Sequence, residues 1–448
     1  MWKMSKRIIF IVIENFNREY SGKRLLAQEL SSRGYIVFLG HKSILRTLLR
    51  LNPIKKGIYI EKGLTKGVGK RIKKAKNSGM YIFSFDEEAL MHTDVLNYSK
   101  LHHEIESREN IDGIFSWGEK HSNLLKLLGY SKKQIIKTGN PRFDIYKIRA
   151  KENLVQNHSP QYILICSRFC MLRAAEFTKT IDNYMGPTEF TYQKLLKIPK
   201  LLRDSNINFP ILIRPHPSEP FGPWLEATSG LKNIVVSFSG PLENTFDKSL
   251  LMIHNRCTTG IEAYMCNLPV ISYDPIKLEE PPHPPSELIN SFANSVATTE
   301  KALIDQVKNF LNNKNSPTIN IKTSQDYLYH HNKLNYLEIT NYLTDNFSPN
   351  YRNKISLLKI FILIFFIYYY HKFHKILLFI FNKSKYNYIK KKTGRSFKTV
   401  FNSKRQDISF SLIRIFKIDI FFPGRPFFYK KPKFINKFIN KVKKKVLL

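Results

Sequence analysis

Residues 250–274 read LLMIHNRCTTGIEAYMCNLPVISYD. An apolar run comes first, then a turn at Asn255–Gly260, an amphipathic stretch, and a second β-branched run ending at Tyr273. That order is strand, turn, helix, strand. Strands joined by a helix lie parallel, and a parallel sheet covered on both faces has strands that are apolar throughout. Working outward, the same unit repeats. Strands are expected at Tyr162–Cys166, Pro210–Ile213, Ile234–Val236, Leu250–Ile253 and Pro269–Tyr273. In the first half they are expected at Ile8–Ile13, Tyr35–Leu39, Gly57–Ile60, Tyr81–Phe85, Gly113–Ser116 and Ile135–Thr138, with helical patterns such as Arg24–Arg33 between them.

The pattern therefore runs twice. The polar segment 150–160 (AKENLVQNHSP) reads as a linker, so the chain divides into an N-terminal Rossmann-like domain (1–150), a second Rossmann-like domain (160–347) and a tail (350–448). Ligands of such sheets bind beyond the carboxyl ends of the strands, and a cleft between two such domains is the expected active site.

Composition narrows the class. The 448 residues carry 72 Lys and Arg against 35 Asp and Glu, net +37. Residues 351–448 hold 25 basic and two acidic residues (+23), and the first 350 hold 47 and 33 (+14). Collagen-like, disulfide-scaffold and disordered classes are excluded. Abundant Lys, Ile, Asn, Phe and Tyr resemble AT-rich coding, which inflates the basicity. Cys166, Cys170, Cys257 and Cys266 lack CxxC spacing and read as free buried thiols, and no ligand cluster points to a metal. The apolar run Ile8–Ile13 is too short for a signal-peptide core and reads as a first strand, in a chain that is not secreted.

Three loops after second-half strands carry chemistry. ILIRPHPSEP (211–220) places Arg214 and His216 between rigid prolines, as anion donors or as an ordinary proline-stiffened loop. In the 250–274 unit, Thr258, Thr259 and Gly260 open a helix whose amides suit an anion, with Glu262 near a ribose hydroxyl. A capping box from Thr259 to Glu262 fits the same spacing. YILICSRF (162–169) sets Arg168 at the same lip, facing a phosphate or solvent. Together these suit a nucleotide phosphate. No Walker A or GxGxxG pattern follows a strand, and KGLTKGVGK (62–70) lacks the required gap and Ser/Thr.

RPHP (214–217), the Thr-Thr-Gly-x-Glu-Ala helix, LPVISYDP (268–275), TGNPRFD (138–144) and the N-terminal stretch with Glu14, Arg18 and Glu19 resemble bacterial surface-carbohydrate biosynthesis proteins. These are GT-B glycosyltransferases of capsule and lipopolysaccharide type, including sialyl- and Kdo-transferases and CDP-glycerol glycerophosphotransferases. The resemblance implies that His216, Pro217, Thr258 and Thr259 hold the donor's phosphate.

A proton acceptor is expected from YIFSFDEEAL (81–90), where Asp86, Glu87 and Glu88 follow a strand and like-charge repulsion raises one pKa. An acidic helix start is the plain alternative. Related transferases carry acid-acid-Gly here, with the second acid as base. The match places Glu88 in that role, with Ala89 where glycine would stand, a departure that keeps Glu87 and Asp86 open beside it. Glu14 and Glu19 are reserves, and His121 and His92 read as surface or packing residues.

In the tail, the apolar run Ile360–Tyr370 is too short to span a bilayer, and the aromatic and Lys-rich segments after it suit an anionic membrane surface. Nucleic acid is the disfavoured partner, since the apolar run has no role there.

The expectation is a metal-independent, cofactor-free glycosyltransferase. It is peripheral to the cytoplasmic face of a bacterial inner membrane, and moves a sugar from a CMP-, CDP- or UDP-linked donor to a glycan or lipid-linked acceptor. A UDP-sugar 2-epimerase, a glycerophosphotransferase and a non-catalytic membrane scaffold stay open beside it.

Overall fold

A computed structural model describes residues 7–51, 56–65, 67–89, 98–99, 102–156, 160–169, 182–216, 219, 221–237, 240–275, 289–312, 326–329, 333–347 and 419–421. The first half runs β1 (Arg7–Ile13), α1 (Phe16–Ser32), β2 (Tyr35–His41), α2 (Lys42–Leu51), β3 (Gly57–Glu61), α3 (Gly69–Asn77), β4 (Met80–Ser84), α4 (Ile105–Asn110), β5 (Gly113–Phe115), α5 (Glu119–Leu127) and β6 (Ile135–Ile136). A 3-10 turn (Pro141–Phe143) leads into α6 (Asp144–Gln156). The second half runs β7 (Tyr162–Cys166), α7 (Asp182–Asp204), β8 (Ile211–Arg214), α8 (Gly222–Ala227), β9 (Ile234–Val236), α9 (Glu243–Phe246), β10 (Ser249–His254), α10 (Thr259–Met265), β11 (Val270–Tyr273), β12 (Ser295–Ala297), α11 (Glu300–Asn312) and α12 (Asn335–Asn346), with β13 (Asp419–Phe421) in the tail.

Two sheets result, parallel but for the edge strand β13, in the orders β13-β2-β1-β3-β4-β5-β6 and β12-β11-β10-β7-β8-β9. Ile11 pairs with Leu39 on one side and Ile60 on the other, and Ile165 lies between Ile213 and Ile253. Both faces of each sheet are covered, which is why the strands are apolar throughout. In the first sheet Ile9, Ile11 and Ile13 face α1, and Phe10 and Val12 face α2 and α3. In the second, Ile163, Ile165 and Ile253 face α7 and α11, and Leu164, Met252 and Val270 face α10 and the Phe143–Tyr146 turn.

Besides β12, which no expected strand covers, three elements differ from the sequence reading. Residues 150–156, expected as linker, extend α6 to Gln156. Residues 335–347, counted with the second domain, pack on the first: Ile339 and Leu343 are buried beside Phe83 and Phe115. Asp144 holds that helix by accepting the amides of Asn335 (2.9 Å) and Tyr336 (2.7 Å). Burial pushes the Asp144 pKa up to about 6, against the pull of Lys147 and those amides. Finally, β13 adds antiparallel to β2, with Ile420 opposite Phe38 and Asp419 bonded to Tyr20. The remainder of the tail, with its expected membrane-associating segment, lies outside the described residues. Among the described residues no helix is long and apolar enough to cross a membrane.

One close approach within the first domain shapes its border with the second. A Cβ on Gly22 would lie 2.2 Å from the Pro141 carbonyl oxygen, so only glycine lets α1 rest on the 3-10 turn. That contact brings Arg18 and Arg142 to the same place.

Candidate functional site

The carboxyl ends of β1, β2, β3 and β4 carry a charged cluster. Glu14 follows β1 and pairs with Lys42, which opens α2, and with Lys62, which follows β3. Lys62 also lies 3.8 Å from Glu88, and His102 Nε2 lies 3.6 Å from the same carboxylate. Burial lowers the Lys42 pKa, and the charges of Lys62 and Arg46 lower it further.

The three acids after β4 have three different surroundings. Asp86 is buried in a left-handed backbone conformation (φ 48°). It accepts from Nε2 of His103 and of His121, each at 3.2 Å, and from the Tyr98 hydroxyl. His121 Nδ1 accepts the Trp117 amide (3.1 Å), so its proton sits on Nε2 and points at Asp86. Burial acts to raise the Asp86 pKa, but His103 and His121 outweigh it and hold the carboxyl well below the usual range. The rise expected from clustered acids therefore does not fall on Asp86, and His121, read as a surface or packing residue, is a buried partner of it. Glu87 is buried and ion-paired with Lys23 Nζ at 2.8 Å. Lys23 also reaches Glu19 (2.7 Å) and the Val12 carbonyl (3.0 Å). Glu19 caps α1 by accepting the amides of Glu14 and Asn15. Glu88 alone of the three acids keeps a solvent-facing side chain, 45% exposed. His92 lies outside the described residues.

On the second domain the expected residues divide. Thr258 accepts from Arg18 Nη2 at 2.8 Å, and Arg18 Nε lies 3.4 Å from Glu262 Oε1. Arg142 Nε donates to the same oxygen at 2.5 Å, with its guanidinium over the Trp117 and Phe143 rings. Glu262 is fully buried, and its Oε2 has no hydrogen-bond partner. The capping box from Thr259 does not form. Thr259 donates instead to Cys257 Sγ (3.0 Å), and Glu262 is drawn to the two arginines of the other domain. Gly260 is a packing residue, since a Cβ there would lie 2.6 Å from His254 Nε2. His216 is largely buried beside Arg18. Burial first, and the Arg18 charge second, push its pKa down to about 4, so it is neutral at pH 7.

Arg214 donates to Thr245 Oγ1 (2.9 Å) and the Gly240 carbonyl (2.6 Å). Arg168 Nε donates to the Asn255 carbonyl at 3.1 Å. Pro217 lies outside the described residues. Thus Thr258, Glu262 and His216 gather around Arg18, while Arg168 and Arg214 hold neighbouring loops. The expected free cysteines Cys166, Cys257 and Cys266 are buried, and Cys170 lies outside the described residues.

Sequence reasoning passed over Glu219 and Arg142. Glu219 accepts from Ser167 Oγ, the Phe169 amide (3.0 Å), the His216 amide (3.4 Å) and Trp224 Nε1 (2.7 Å), tying the loop after β7 to the loop after β8. Its position inside the proline-rich run was the available signal. Arg142 sits inside NPRFD, between a proline and a core phenylalanine, where an arginine has no reason to be without a buried partner.

A separate open groove of about 520 Å³ lies between residues 132–138 and α12. It contains none of the expected site residues.

No protein-family model and no curated protein sequence matches the chain. Solved structures do resemble it. A structure described as a UDP-N-acetylglucosamine 2-epimerase from Listeria monocytogenes aligns over 78% of this chain and 98% of its own, at 12% identity and a TM-score of 0.53. The wall teichoic acid polymerase TagF aligns over 76% of this chain and 88% of its own, at 12% identity and a TM-score of 0.50. At that identity the likeness is one of fold: two Rossmann-like domains in the GT-B arrangement.

Proposed function

We propose that the chain is a glycosyltransferase that takes a sugar from a nucleotide donor to build a bacterial surface polysaccharide of capsule or lipopolysaccharide type. The observation that carries this reading is Arg18. It crosses from the first domain to Thr258 and Glu262 of the second, beside a neutral His216. A donor phosphate entering there meets a guanidinium, a hydroxyl and an imidazole without displacing a carboxylate from bulk water. Glu262, fully buried, holds Arg18 toward that space from behind.

Across the cleft, Glu88 is the base for the acceptor hydroxyl. Of the three acids it is the one with solvent access, and Lys62 and His102 hold it from two sides. Asp86 and Glu87 position the segment on which Glu88 sits. Fixed cations offset the leaving phosphate's charge, with no metal or cofactor required. The enzyme works at the cytoplasmic face of the inner membrane on a glycan or lipid-linked acceptor.

A second reading, a UDP-sugar 2-epimerase, is favoured by the shape of the Listeria structure. The two separate in one experiment. Purified protein is incubated with radiolabelled nucleotide sugars, with and without membrane fractions bearing acceptor glycan. The transferase reading expects label in the glycan only when acceptor is added. Interconversion of a UDP-sugar without acceptor would move the assignment to the epimerase.

A further inference from the structure

The basic charge of the body is not shared by its two domains. Residues 1–150 hold 29 Lys and Arg against 14 Asp and Glu (+15), and residues 151–350 hold 18 against 19 (−1). Cations for donor phosphate in the second domain therefore do not account for it. Within the first domain the excess gathers on α2 and α3. These helices carry Lys42, Arg46, Arg50, Lys70, Arg71, Lys73, Lys74 and Lys76, and neither has an acid.

Inside the domain, three of these cations are neutralised: Lys42 by Glu14, Arg46 by Glu61 (3.0 Å) and Lys76 by Asp112. Lys73 has Glu106 at 4.0 Å, while Glu104 is taken up by the amides of Gly67 and Gly69. Arg50, Lys70, Lys73 and Lys74 are exposed. Lys74 Nζ donates to the Arg50 carbonyl (2.9 Å), holding the two helices together as one face. Arg71 stands among them with a buried Nε that has no hydrogen-bond partner. Burial lowers its pKa, and the charges of Arg46 and Arg50 add to that. Like charges set this close disfavour the folded domain alone, and an external anion relieves them.

The same layer holds the first domain's exposed large aliphatic side chains among the described residues: Leu51 at the end of α2 (52%), Ile105 at the start of α4 (62%) and Leu127 at the end of α5 (77%). No large exposed aromatic ring lies with them among the described residues, whereas a single-stranded nucleic acid would stack on rings. Cations with aliphatics at their margin match lipid headgroups over an acyl boundary.

We infer that the α2–α3 face of the first domain docks on an anionic bilayer, with Arg50, Lys70, Lys73 and Lys74 on headgroup phosphates and Leu51 and Ile105 in the interface. This contact is built from the folded domain rather than the tail, and holds whichever reaction the cleft performs.

The test is co-sedimentation of the full chain with vesicles of phosphatidylcholine, alone or with phosphatidylglycerol added. Combined Arg50→Glu, Lys70→Glu, Lys73→Glu and Lys74→Glu is expected to weaken partition onto the anionic vesicles by about tenfold or more, because each cation near the surface contributes a several-fold factor. Nucleotide binding stays unchanged, which shows that the variant is folded. Leu51→Asn with Ile105→Asn leaves every charge in place. It is expected to weaken the same partition several-fold, without altering affinity for a single-stranded RNA oligonucleotide. Unaltered vesicle partition in either variant would overturn the inference. So would loss of RNA affinity in the charge-reversal variant with no change on vesicles.

Discussion

Replacing Glu262 by alanine tests the contact on which the arrangement of the two domains depends. Glu262 is fully buried, and Arg142, 1% exposed, donates to it from the other domain. Removing the carboxylate leaves the Arg142 guanidinium buried without its counter-charge. Breaking a buried pair from one side costs about 3–5 kcal/mol, mostly the desolvation of the orphaned charge. At about 2–4 °C per kcal/mol for domains of this size, the thermal midpoint should fall by about 6–20 °C. The double variant Glu262→Met with Arg142→Met removes both charges and keeps apolar volume against Trp117 and Phe143, so it should recover most of that loss. Arg18→Ala should cost far less stability, because the Arg18 side chain is 30% exposed and its bond to Glu262 is long. The assay is thermal and urea unfolding of the four proteins. A Glu262→Ala midpoint within about 1 kcal/mol of the parent, or a double variant no better than the single, would refute the reasoning.

Three further outcomes are expected. Gly22→Ala forces a Cβ onto the Pro141 carbonyl, so it should destabilise by about 1–3 kcal/mol and weaken nucleotide affinity by displacing Arg18, both read by ligand-dependent thermal shift. Glu88→Gln should lower the transfer rate by about 10²–10⁴-fold with nucleotide affinity unchanged, whereas Asp86→Asn should instead lower the unfolding midpoint, since it strips the charge that two histidines are aimed at. Stability should fall in acid. His216 and His254 have folded pKa values pushed down by burial to about 4 and about 3, so the unfolded state binds more protons once pH drops below their ordinary value near 6.5, and stability is lost from there downward. Asp144, raised to about 6, and Glu219 and Glu243, also raised by burial, oppose this, so the histidine contribution is read by difference: His254→Gln should lose less stability than the parent between pH 7.5 and 5 in urea titrations.

Much of the fold was legible because periodicity encodes it. The apolar runs expected in the sequence coincide with β1–β11 to within a residue or two at each end. The exceptions are informative. β12 begins at a half-exposed serine on a sheet edge, and β13 is three residues inside a Lys-rich tail, so neither has the length or burial that writes a pattern. That Thr258, Glu262 and His216 lie near one another was legible from their place after strands, because the parallel sheet sends every strand end to one edge. Their actual partners were not. Arg18 and Glu262 are 244 residues apart, and Arg142 and Glu262 are 120 apart, so only the packing of the two domains brings them together. The bonds of Arg214 to Thr245 and the Gly240 carbonyl were hidden for a related reason: a strand-end arginine is equally suited to an anion or to nearby oxygen acceptors, and sequence does not separate the two.

The central claim is that the cleft around Arg18 binds the phosphate of a nucleotide. Calorimetric titration of the parent and of Arg18→Ala with CMP, CDP, UDP and GDP tests it most directly. The account expects one of these nucleotides to bind the parent, and Arg18→Ala to weaken it by about tenfold or more, as for loss of a charge-assisted hydrogen bond. Binding of none of the four, or equal affinity in the Arg18→Ala protein, would contradict it.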